Sequence, residues 1–247
     1  MKAYYNENDP FAANWLRNLI EAGLIAAGDV DERSITDVKP SDLDGYTQHH
    51  FFAGIGGWSY ALRLAGWPDD RPVVTGSCPC QPFSSAGKGR GVDDERHLWP
   101  AFRWLLAQRP DSTVFGEQVA SRAGRTWLAG VRRDMEAMGN VFGSASLSAG
   151  GYGFLHIRER LFWGSHPNGV RLQGLGARQI KRGERTHEQF EGLLQSQTRM
   201  ALPAGKRNRL ADGLQRCLAG FGNAIVPEVA AEFIAAYMSL KKSPAPA

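Results

Sequence analysis

The sequence predicts an α/β fold in which strands and helices alternate along the chain and around one sheet. Residues 47–52 form a β-type run that enters a glycine-rich turn, and helical spacing follows over residues 58–65. Residues 73–76 form a second, β-branched run, which ends at Gly76 and Ser77. Open α/β sheets hold their ligands at the carboxyl ends of their strands, so the residues that follow these two runs are candidates for chemistry.

The composition is that of a soluble globular protein. With 247 residues, 43% hydrophobic and 22% charged, the chain can build one core and a small appendage. Its apolar runs end well before the ~18 residues of a membrane span, and its N-terminus lacks the apolar core of a signal peptide, so we expect a cytoplasmic protein without membrane contact. Three cysteines cannot form a disulfide framework, and one Cys-x-Cys pair is a poor zinc site, which favours a free functional thiol and no metal.

The basic residues are concentrated in one segment. Residues 171–216 contain ten lysines and arginines against four acidic residues, while the rest of the chain contains 19 basic and 21 acidic residues. This excess suggests a polyanionic partner, although charge alone fits a solvated linker equally well.

The remaining elements follow from helical spacing and short β-type runs. Asp9 and Pro10 signal the start of a helix over residues 11–22, after a strand that ends near Glu7. We expect a short strand at residues 28–30 and turns at 40–45. Later come helices over residues 98–108 and 126–138, strands over 112–115, 141–147 and 158–164, and a disordered tail from residue 241.

Cys80 lies just beyond the end of the 73–76 run. Pro79 and Pro82 stiffen the backbone on both sides of it. In the loop that follows, glycines alternate with Lys88 and Arg90, which makes the loop mobile and basic. The pattern predicts a reactive thiol on a rigid support beside a lid that binds phosphate.

Three further charged residues accompany this thiol along the chain. Glu117 is a single carboxylate at the predicted end of the 112–115 strand, and Arg158 and Arg160 share one face of a later strand by the period of two. Taken singly, each fits a surface salt bridge as well as a catalytic role. The glycine turn at 53–57 fits a nucleotide cradle, but such turns also serve tight packing alone.

Taken in order, these motifs resemble the DNA (cytosine-5) methyltransferase family over most of residues 47–240. The nucleophile motif of that family resembles Pro79-Cys80-Gln81-Pro82-Phe83-Ser84, and its closing loop resembles residues 86–96. Its S-adenosylmethionine motif resembles Phe52-Ala53-Gly54-Ile55-Gly56-Gly57, and its Glu-Asn-Val resembles Glu117-Gln118-Val119. Its Gln-x-Arg-x-Arg resembles His156-Ile157-Arg158-Glu159-Arg160. Its late Gly-Asn-Ala/Ser-Val resembles Gly222-Asn223-Ala224-Ile225.

The chain departs from the family in several places. Gln118 moves the amide by one methylene, His156 replaces glutamine, and Cys78 stands where proline is usual, most simply as a small buried hydrophobe. The largest departure is the short gap at residues 68–71, between the helix after the glycine turn and the strand before Cys80, which leaves no room for two strand–helix units that the family places there. The N-terminus supplies similar segments, because Glu7 resembles the acidic strand end that holds the ribose and Gly28-Asp29-Val30 resembles the adenine-side Gly-Asp-Val/Ile. We infer a circular permutation of the cofactor half.

The resemblance implies a Rossmann-like S-adenosylmethionine-dependent methyltransferase sheet, permuted, with a small basic target-recognition region. The implied division is a catalytic and cofactor-binding domain at residues 1–164, target recognition at 165–216, and a return to the catalytic domain at 217–240. Cys80 would attack carbon 6 of cytosine, Glu117 would act as general acid, and positive neighbours would hold the thiol ionised. The implied groups are, for catalysis, Cys80, Glu117, Arg158 and Arg160; for the cofactor, Phe52, Gly54, Gly56, Gly57, Glu7, Asp29 and Asn223; and for DNA, Ser84, Lys88, Arg90, Lys181, Arg182 and Arg185.

The expected partner is double-stranded DNA, with the target base flipped out of the duplex, and the expected state is a monomer. Two alternatives stay open. One is a nucleic-acid-binding protein that keeps the fold without catalysis, against which the intact Cys80, Glu117 and Arg158 argue. The other is the same chemistry on RNA or on a free nucleotide.

Overall fold

The structure is a computed structural model, and it describes residues 2–79, 98–152, 158–167 and 224–239. Seven strands form one sheet in the order β2-β1-β3-β4-β5-β7-β6. The first five strands in this order are parallel to one another. β7 pairs antiparallel with both β5 and β6. The predicted α/β class is confirmed.

The N-terminal unit consists of β1 (Lys2–Asn6), α1 (Pro10–Glu21) and β2 (Gly28–Asp31). The helix begins where the sequence predicts, because the Asp9 side chain accepts a hydrogen bond from the Ala12 backbone N–H and Pro10 occupies the first helical position. Two short 3-10 helices follow β2, at Ile35–Asp37 and Pro40–Leu43.

The central unit consists of β3 (Tyr46–Phe51), α2 (Gly57–Leu64) and β4 (Val73–Gly76). Both strands are buried along most of their length, which agrees with their runs of aromatic, β-branched and small residues. Only residues 65–72 connect α2 to β4. The short gap expected from the sequence is therefore present in the fold.

The remaining elements are α3 (Trp99–Ala107), β5 (Val114–Val119), α4 (Arg122–Ala137), β6 (Asn140–Ser148), β7 (Glu159–Pro167) and α5 (Pro227–Ser239). One boundary corrects the sequence analysis. We expected a strand over 112–115 that delivers Glu117 beyond its end, but β5 continues through Val119 because residues 114–119 pair with β7. Glu117 therefore lies inside a strand, opposite Phe162.

The position of β1 confirms the inferred permutation. This strand lies between β2 and β3, with Tyr5 in register with both Val30 and His50. The first two strands of the chain thus occupy the side of the sheet next to the strand that carries the glycine turn. The chain supplies from its N-terminus the two strands that its short 65–72 connection cannot contain.

Helices cover both faces of the sheet, and the alternation of strand side chains shows which face each helix covers. On one face, the Ser59 hydroxyl of α2 hydrogen bonds with the Tyr5 hydroxyl at 2.9 Å. On the other face, the Phe102 ring of α3 packs against Phe51, with ring centroids 5.3 Å apart. The paired registers place Tyr5, Thr75 and Phe115 on the α2 face and Phe51, Gly76 and Gly116 on the α3 face.

This arrangement gives the α2 connection an unusual hand. The chain advances in one direction across the sheet from β3 to β4 to β5, yet α2 and α3 lie on opposite faces, so these two consecutive crossovers have opposite hands. The β1–α1–β2 crossover advances in the other direction with α1 on the α2 face, where Leu16 and Leu19 lie beside Gly56, and has the same hand as the α3 crossover. Because parallel crossovers are right-handed in about 98% of cases, α2 forms the left-handed one.

Two findings bear on the predicted class of protein. No helix within the described ranges is both long and apolar enough to cross a bilayer. Cys78 is 3% exposed and belongs to the core cluster beside α3, which confirms its predicted place as a small buried hydrophobe.

Candidate active site

The glycine turn follows β3 at the carboxyl edge of the sheet and leads into α2. Gly54 and Gly56 both adopt left-handed backbone conformations, with φ angles of 55° and 82°, which glycine reaches without strain. A Cβ atom at Gly57 would lie only 2.8 Å from the Ile225 side chain, so this glycine admits close packing of the segment before α5. At Gly54, no atom of the described residues lies within 4 Å of the corresponding position.

Glu7 meets this turn, as the sequence predicts. One carboxylate oxygen of Glu7 accepts the Gly54 backbone N–H at 2.7 Å, and the other accepts the Asp9 backbone N–H at 2.9 Å. The contact has a topological cause, because β1 continues to β2 on one side of the sheet and β3 continues to β4 on the other. Glu7 and Gly54 follow the two strands that flank this switch point, where open sheets form a ligand crevice.

Asp29 occupies a different place from the one expected of a cofactor group at the strand end. Its carboxylate accepts hydrogen bonds from the Tyr46 hydroxyl at 2.8 Å and from Lys2 Nζ at 3.4 Å, both near the starts of their strands. The acid at the carboxyl end of β2 is Asp31, which is in register with Asn6. A cofactor role for Asp29 stays a prediction.

Asp31 lies in a polar cleft of about 460 Å³ beside the edge strand. Burial raises the pKa of Asp31, but hydrogen bonds from Arg33 and from the Tyr4 hydroxyl at 2.6 Å outweigh burial and lower it to about 2. Asp31 therefore stays ionised at any physiological pH. The sequence analysis did not single it out, although its spacing of two from Asp29 places both acids on one face of β2.

The approach to the candidate nucleophile is fixed by a buried amide. Cys80 itself lies outside the described residues, which end at residue 79 on this side. The Gln118 side chain donates a hydrogen bond from Nε2 to the Cys78 carbonyl oxygen at 3.2 Å, and its own Oε1 accepts the Val119 backbone N–H at 2.9 Å. Gln118 thus ties β5 to the segment two residues before Cys80.

Glu117 is the buried carboxyl group of the site, with only 9% of its side chain exposed. Arg160 Nε lies 2.7 Å from Glu117 Oε1, across the β5–β7 ladder. Burial raises the pKa of Glu117, and this effect exceeds the opposing effects of the Arg160 and Arg158 charges and of hydrogen bonds from Ser77 and Arg160. A carboxyl group of this kind is a candidate proton donor.

The two predicted arginines join the same site. Arg160 is the second residue of β7, and Arg158 comes directly before that strand. Burial and the neighbouring Arg160 charge lower the pKa of Arg158, while the Glu117 charge raises it. The structure therefore brings together Glu117, Arg158 and Arg160 as the sequence predicts, and it places the Arg160 guanidinium directly on the carboxylate.

Ser77 and Trp58 also belong to this site, and the sequence analysis missed both. Trp58 Nε1 donates a hydrogen bond to Ser77 Oγ at 3.0 Å, and the Ser77 side chain hydrogen bonds with Glu117. A serine after a β-branched strand carries no local signal for such a contact. Phe52, also predicted for the cofactor, directly precedes the glycine turn with a φ angle of 51°. The predicted residues outside the described ranges are Ser84, Lys88, Arg90, His156, Lys181, Arg182, Arg185 and Asn223.

Comparison with known proteins identifies the family. The family model for the C-5 cytosine-specific DNA methylase matches residues 67–216, which is more than half of the chain. The chain belongs to this family. The methyl donor of C-5 cytosine methylases is S-adenosylmethionine, so the predicted cofactor is confirmed.

Curated relatives agree with this assignment. The chain is 25% identical over 176 residues to the type II methyltransferase M.HhaI of Haemophilus parahaemolyticus, covering 56% of this chain and 54% of the relative. It is 26% identical over 152 residues to M.HgiCII of Herpetosiphon aurantiacus, covering 45% and 35%. The chain thus spans about half or less of the length of these relatives.

Two solved DNMT2 structures match part of this chain. The Spodoptera frugiperda DNMT2 mutant E260A/E261A/K263A is 14% identical, with a TM-score of 0.43, and the match covers 72% of this chain and 54% of that chain. The S. pombe Dnmt2 methyltransferase is 13% identical, with a TM-score of 0.39, and the match covers 85% and 58%.

The residues at the glycine turn fit the cofactor of this family. A ribose offers two hydroxyl donors, and each Glu7 carboxylate oxygen keeps a lone pair beyond its single backbone bond. Among the residues that the structure describes, no atom crowds this position at Gly54, so a ligand can approach the backbone there closely. In the part of the chain that the structure describes, no three His, Cys, Asp or Glu side chains are grouped as metal ligands.

Proposed function

We propose that this chain transfers a methyl group from S-adenosylmethionine to carbon 5 of cytosine in DNA, through a covalent adduct with Cys80. The observation that carries the proposal is the buried Glu117 carboxyl group, which contacts Arg160. Gln118, the next residue of the same strand, hydrogen bonds to the Cys78 carbonyl oxygen, two residues before Cys80. Family membership supplies the reaction class, and the DNA substrate and the covalent step are our proposals.

The chemistry requires a nucleophile because carbon 5 of cytosine accepts a methyl group poorly by itself. The Cys80 thiolate attacks carbon 6, which forms a sulfur–carbon bond and makes carbon 5 electron-rich. Arg158 and Arg160 supply the positive charge that favours a thiolate over a thiol. S-Adenosylmethionine, when bound, provides the methyl group as an electrophile attached to sulfonium. Removal of the carbon 5 proton then breaks the bond to Cys80 and restores the aromatic ring.

Glu117 acts as the general acid in this scheme. When the thiolate adds, negative charge develops on the ring and its N3 atom becomes more basic. A carboxyl group can donate a hydrogen bond or proton to that nitrogen, and burial, which raises the pKa of Glu117, favours the protonated form that does so. Arg160 opposes this effect and orients the carboxyl group.

The charge distribution supports a nucleic-acid substrate. Residues 98–167 contain eight arginines and five acidic residues, whereas residues 2–79 contain six basic and eleven acidic residues. Phosphate contacts therefore belong to the half of the sheet that carries Glu117 and the arginines. We propose that the loop with Ser84, Lys88 and Arg90, and the segment with Lys181, Arg182 and Arg185, make further phosphate contacts.

The covalent step predicts a mechanism-based trap. DNA that carries 5-fluorocytosine at the target should form a stable adduct with the protein in the presence of S-adenosylmethionine, because fluorine cannot leave carbon 5 as a cation. Denaturing electrophoresis measures the adduct. Cys80→Ser should abolish both trapping and methylation, since a serine hydroxyl is scarcely ionised near neutral pH.

Two further variants serve as controls. Cys78→Ala should keep both trapping and methylation, because the Cys78 side chain is buried in the core. Glu117→Gln should still bind DNA but methylate far more slowly, because an amide cannot act as a general acid. If trapping is lost in Cys78→Ala and kept in Cys80→Ser, the assignment of Cys80 as the nucleophile is wrong. An adduct on RNA alone would refute the DNA substrate, and binding without any adduct would favour the non-catalytic alternative.

A further inference from the structure

A chain of hydrogen bonds connects the first turn of α2 to the Glu117 carboxyl group. Trp58 Nε1 donates to Ser77 Oγ at 3.0 Å. Ser77 lies beside Glu117 on the neighbouring strand, because Gly76 and Gly116, the residues directly before them, are in register, and the Ser77 side chain hydrogen bonds with Glu117. The three residues come from α2, from the end of β4 and from β5. All three side chains lie on the α2 face of the sheet, at its carboxyl edge.

The direction of these hydrogen bonds follows from the chemistry of the groups. An indole nitrogen only donates, so the Ser77 oxygen accepts from Trp58. The ionised Glu117 carboxylate only accepts, so the single Ser77 proton is directed to Glu117. Trp58 therefore fixes which way the Ser77 hydroxyl points.

Packing holds Trp58 in place. The side chain is 4% exposed, and its ring stacks on Phe115 and meets Phe162 edge-on, with centroids 6.3 and 6.1 Å away. Phe115 lies two residues before Glu117 in β5, and Phe162 is in register with Glu117 across the ladder. The indole N–H is thus held by the two strands that carry the catalytic carboxyl group and its arginine.

We propose that Ser77 and Trp58 are positioning residues for Glu117, with Trp58 orienting the Ser77 hydroxyl and Ser77 directing it to the Glu117 carboxyl group. Ser77 supports the ionised form, together with the Arg160 and Arg158 charges, against burial. Among the described residues, these two arginines are the charged groups that act on Glu117. This inference rests on the proposed function for its catalytic consequence, but the positioning itself can be measured without catalysis.

The direct test is a titration of Glu117 by NMR. Protein labelled with 13C at the glutamate carboxyl carbon, free of DNA and cofactor, is titrated, and the Glu117 signal is identified by its loss in Glu117→Gln. In Ser77→Ala, the ratio of protonated to ionised Glu117 at fixed pH should rise about tenfold, because one hydrogen bond to the charged form is lost. An unchanged titration would overturn the proposal.

Ser165→Ala is the matched control for this substitution. Ser165 is fully buried on β7, and its hydroxyl has no hydrogen-bond partner within the described residues. Removal of its hydroxyl changes a buried serine without touching Glu117, so the titration should stay that of the wild type. A similar shift in both variants would show that Ser77 acts through general packing, and would refute its positioning role.

Trp58→Phe tests the order of the relay. The variant removes the indole N–H but keeps an aromatic ring, so Glu117 should shift in the same direction as in Ser77→Ala and by less. The double variant should titrate like Ser77→Ala alone, because Trp58 acts only through Ser77. Additive shifts would refute that order. Trp163→Phe, which changes a buried indole with no partner for Nε1 in the described part of the chain, should leave Glu117 unchanged.

Activity then separates this inference from the proposed function. If Glu117 is the general acid, the apparent pKa in the pH profile of kcat should rise in Ser77→Ala, as it does in the NMR titration. Ser77→Thr should restore the wild-type profile. A moved titration with an unmoved pH profile would refute the catalytic role of Glu117 and leave the positioning by Ser77 intact.

Discussion

Glu7 connects two parts of the cofactor crevice through one carboxylate. It accepts the Gly54 N–H with one oxygen and the Asp9 N–H with the other. If the ribose hydroxyls also bind this carboxylate, Glu7→Ala should weaken S-adenosylmethionine binding by about 1.5–3 kcal/mol, or roughly 10- to 150-fold, while affinity for DNA stays nearly unchanged. Isothermal titration calorimetry measures the difference.

The control for Glu7 is Glu32→Ala. Glu32 is an acid near the end of β2 whose carboxylate pairs with Arg17 at 2.6 Å, and its loss should leave cofactor affinity at the wild-type level. Wild-type affinity in Glu7→Ala would contradict the assignment of Glu7 to the ribose.

Individual residues differ in how far the sequence can place them. Glu117, Arg158 and Arg160 were predicted as a group because they stand in family order, and the structure brings them together. Ser77 was missed because its role depends on a partner from α2, which no local pattern reveals. The sequence predicted Asp29 at the adenine side, but the pairing register, which is a tertiary property, places Asp31 at the strand end.

At the scale of elements, two glycines test how tightly the sheet packs. A Cβ atom at Gly116 of β5 would lie 2.2 Å from the Trp163 ring, whereas one at Gly143 of β6 would meet no atom of the described ranges within 4 Å. Gly116→Ala should therefore lower the free energy of unfolding by about 1–3 kcal/mol or more, and Gly143→Ala should leave it nearly unchanged. Urea denaturation measures both, and equal effects would contradict this account of the packing.

Element boundaries were predictable where local signals set them. Asp9 and Pro10 gave the start of α1, and Ser121, whose side chain caps α4, begins that helix four residues earlier than helical spacing alone indicated. The end of β5 was not predictable, because it depends on pairing with β7, a strand some forty residues later in the chain. Hydrophobic periodicity indicates that a strand exists, but it does not identify the partner that extends it.

At the scale of the whole molecule, two histidines at the centre of the sheet make stability depend on pH. Burial lowers the pKa of His49 to about 4 and that of His50 to about 3. Both must stay neutral in the folded protein, while in the unfolded chain they take up protons near pH 6.5. Their contribution to stability is therefore complete above about pH 6.5 and is lost as the pH falls toward 4 and below.

This dependence can be measured by urea denaturation between pH 7 and pH 4.5. The free energy of unfolding should fall by an amount on the order of 5 kcal/mol over this range, because each of the two histidines loses about 1.4 kcal/mol per pH unit below pH 6.5. His50→Gln should be less stable at pH 7, because it loses the stacking on Tyr5, but its stability should change less with pH. A slope as steep as that of the wild type would show that other groups cause the acid sensitivity.

The permutation was predictable from one short connection together with the N-terminal motifs. Residues 65–72 are too few to hold two strands and two helices, and the N-terminal segment carries the acidic strand end that the family needs. The faces covered by the helices were not predictable, because they depend on which strands become neighbours. The sequence thus indicates which segments are present, while the strand order decides how they meet.

The left-handed connection through α2 has a consequence for the history of the gene. A chain that assembles a sheet strand by strand strongly avoids this hand, but a chain whose segments have been reordered acquires it without moving any helix. If residues 2–44 were genetically relinked between residues 66 and 71, α2 would lead to β1 and every parallel crossover would have the common hand. The same sheet contacts serve both orders, so the reversed hand points to an ancestor in which the ribose-side segment followed the glycine turn.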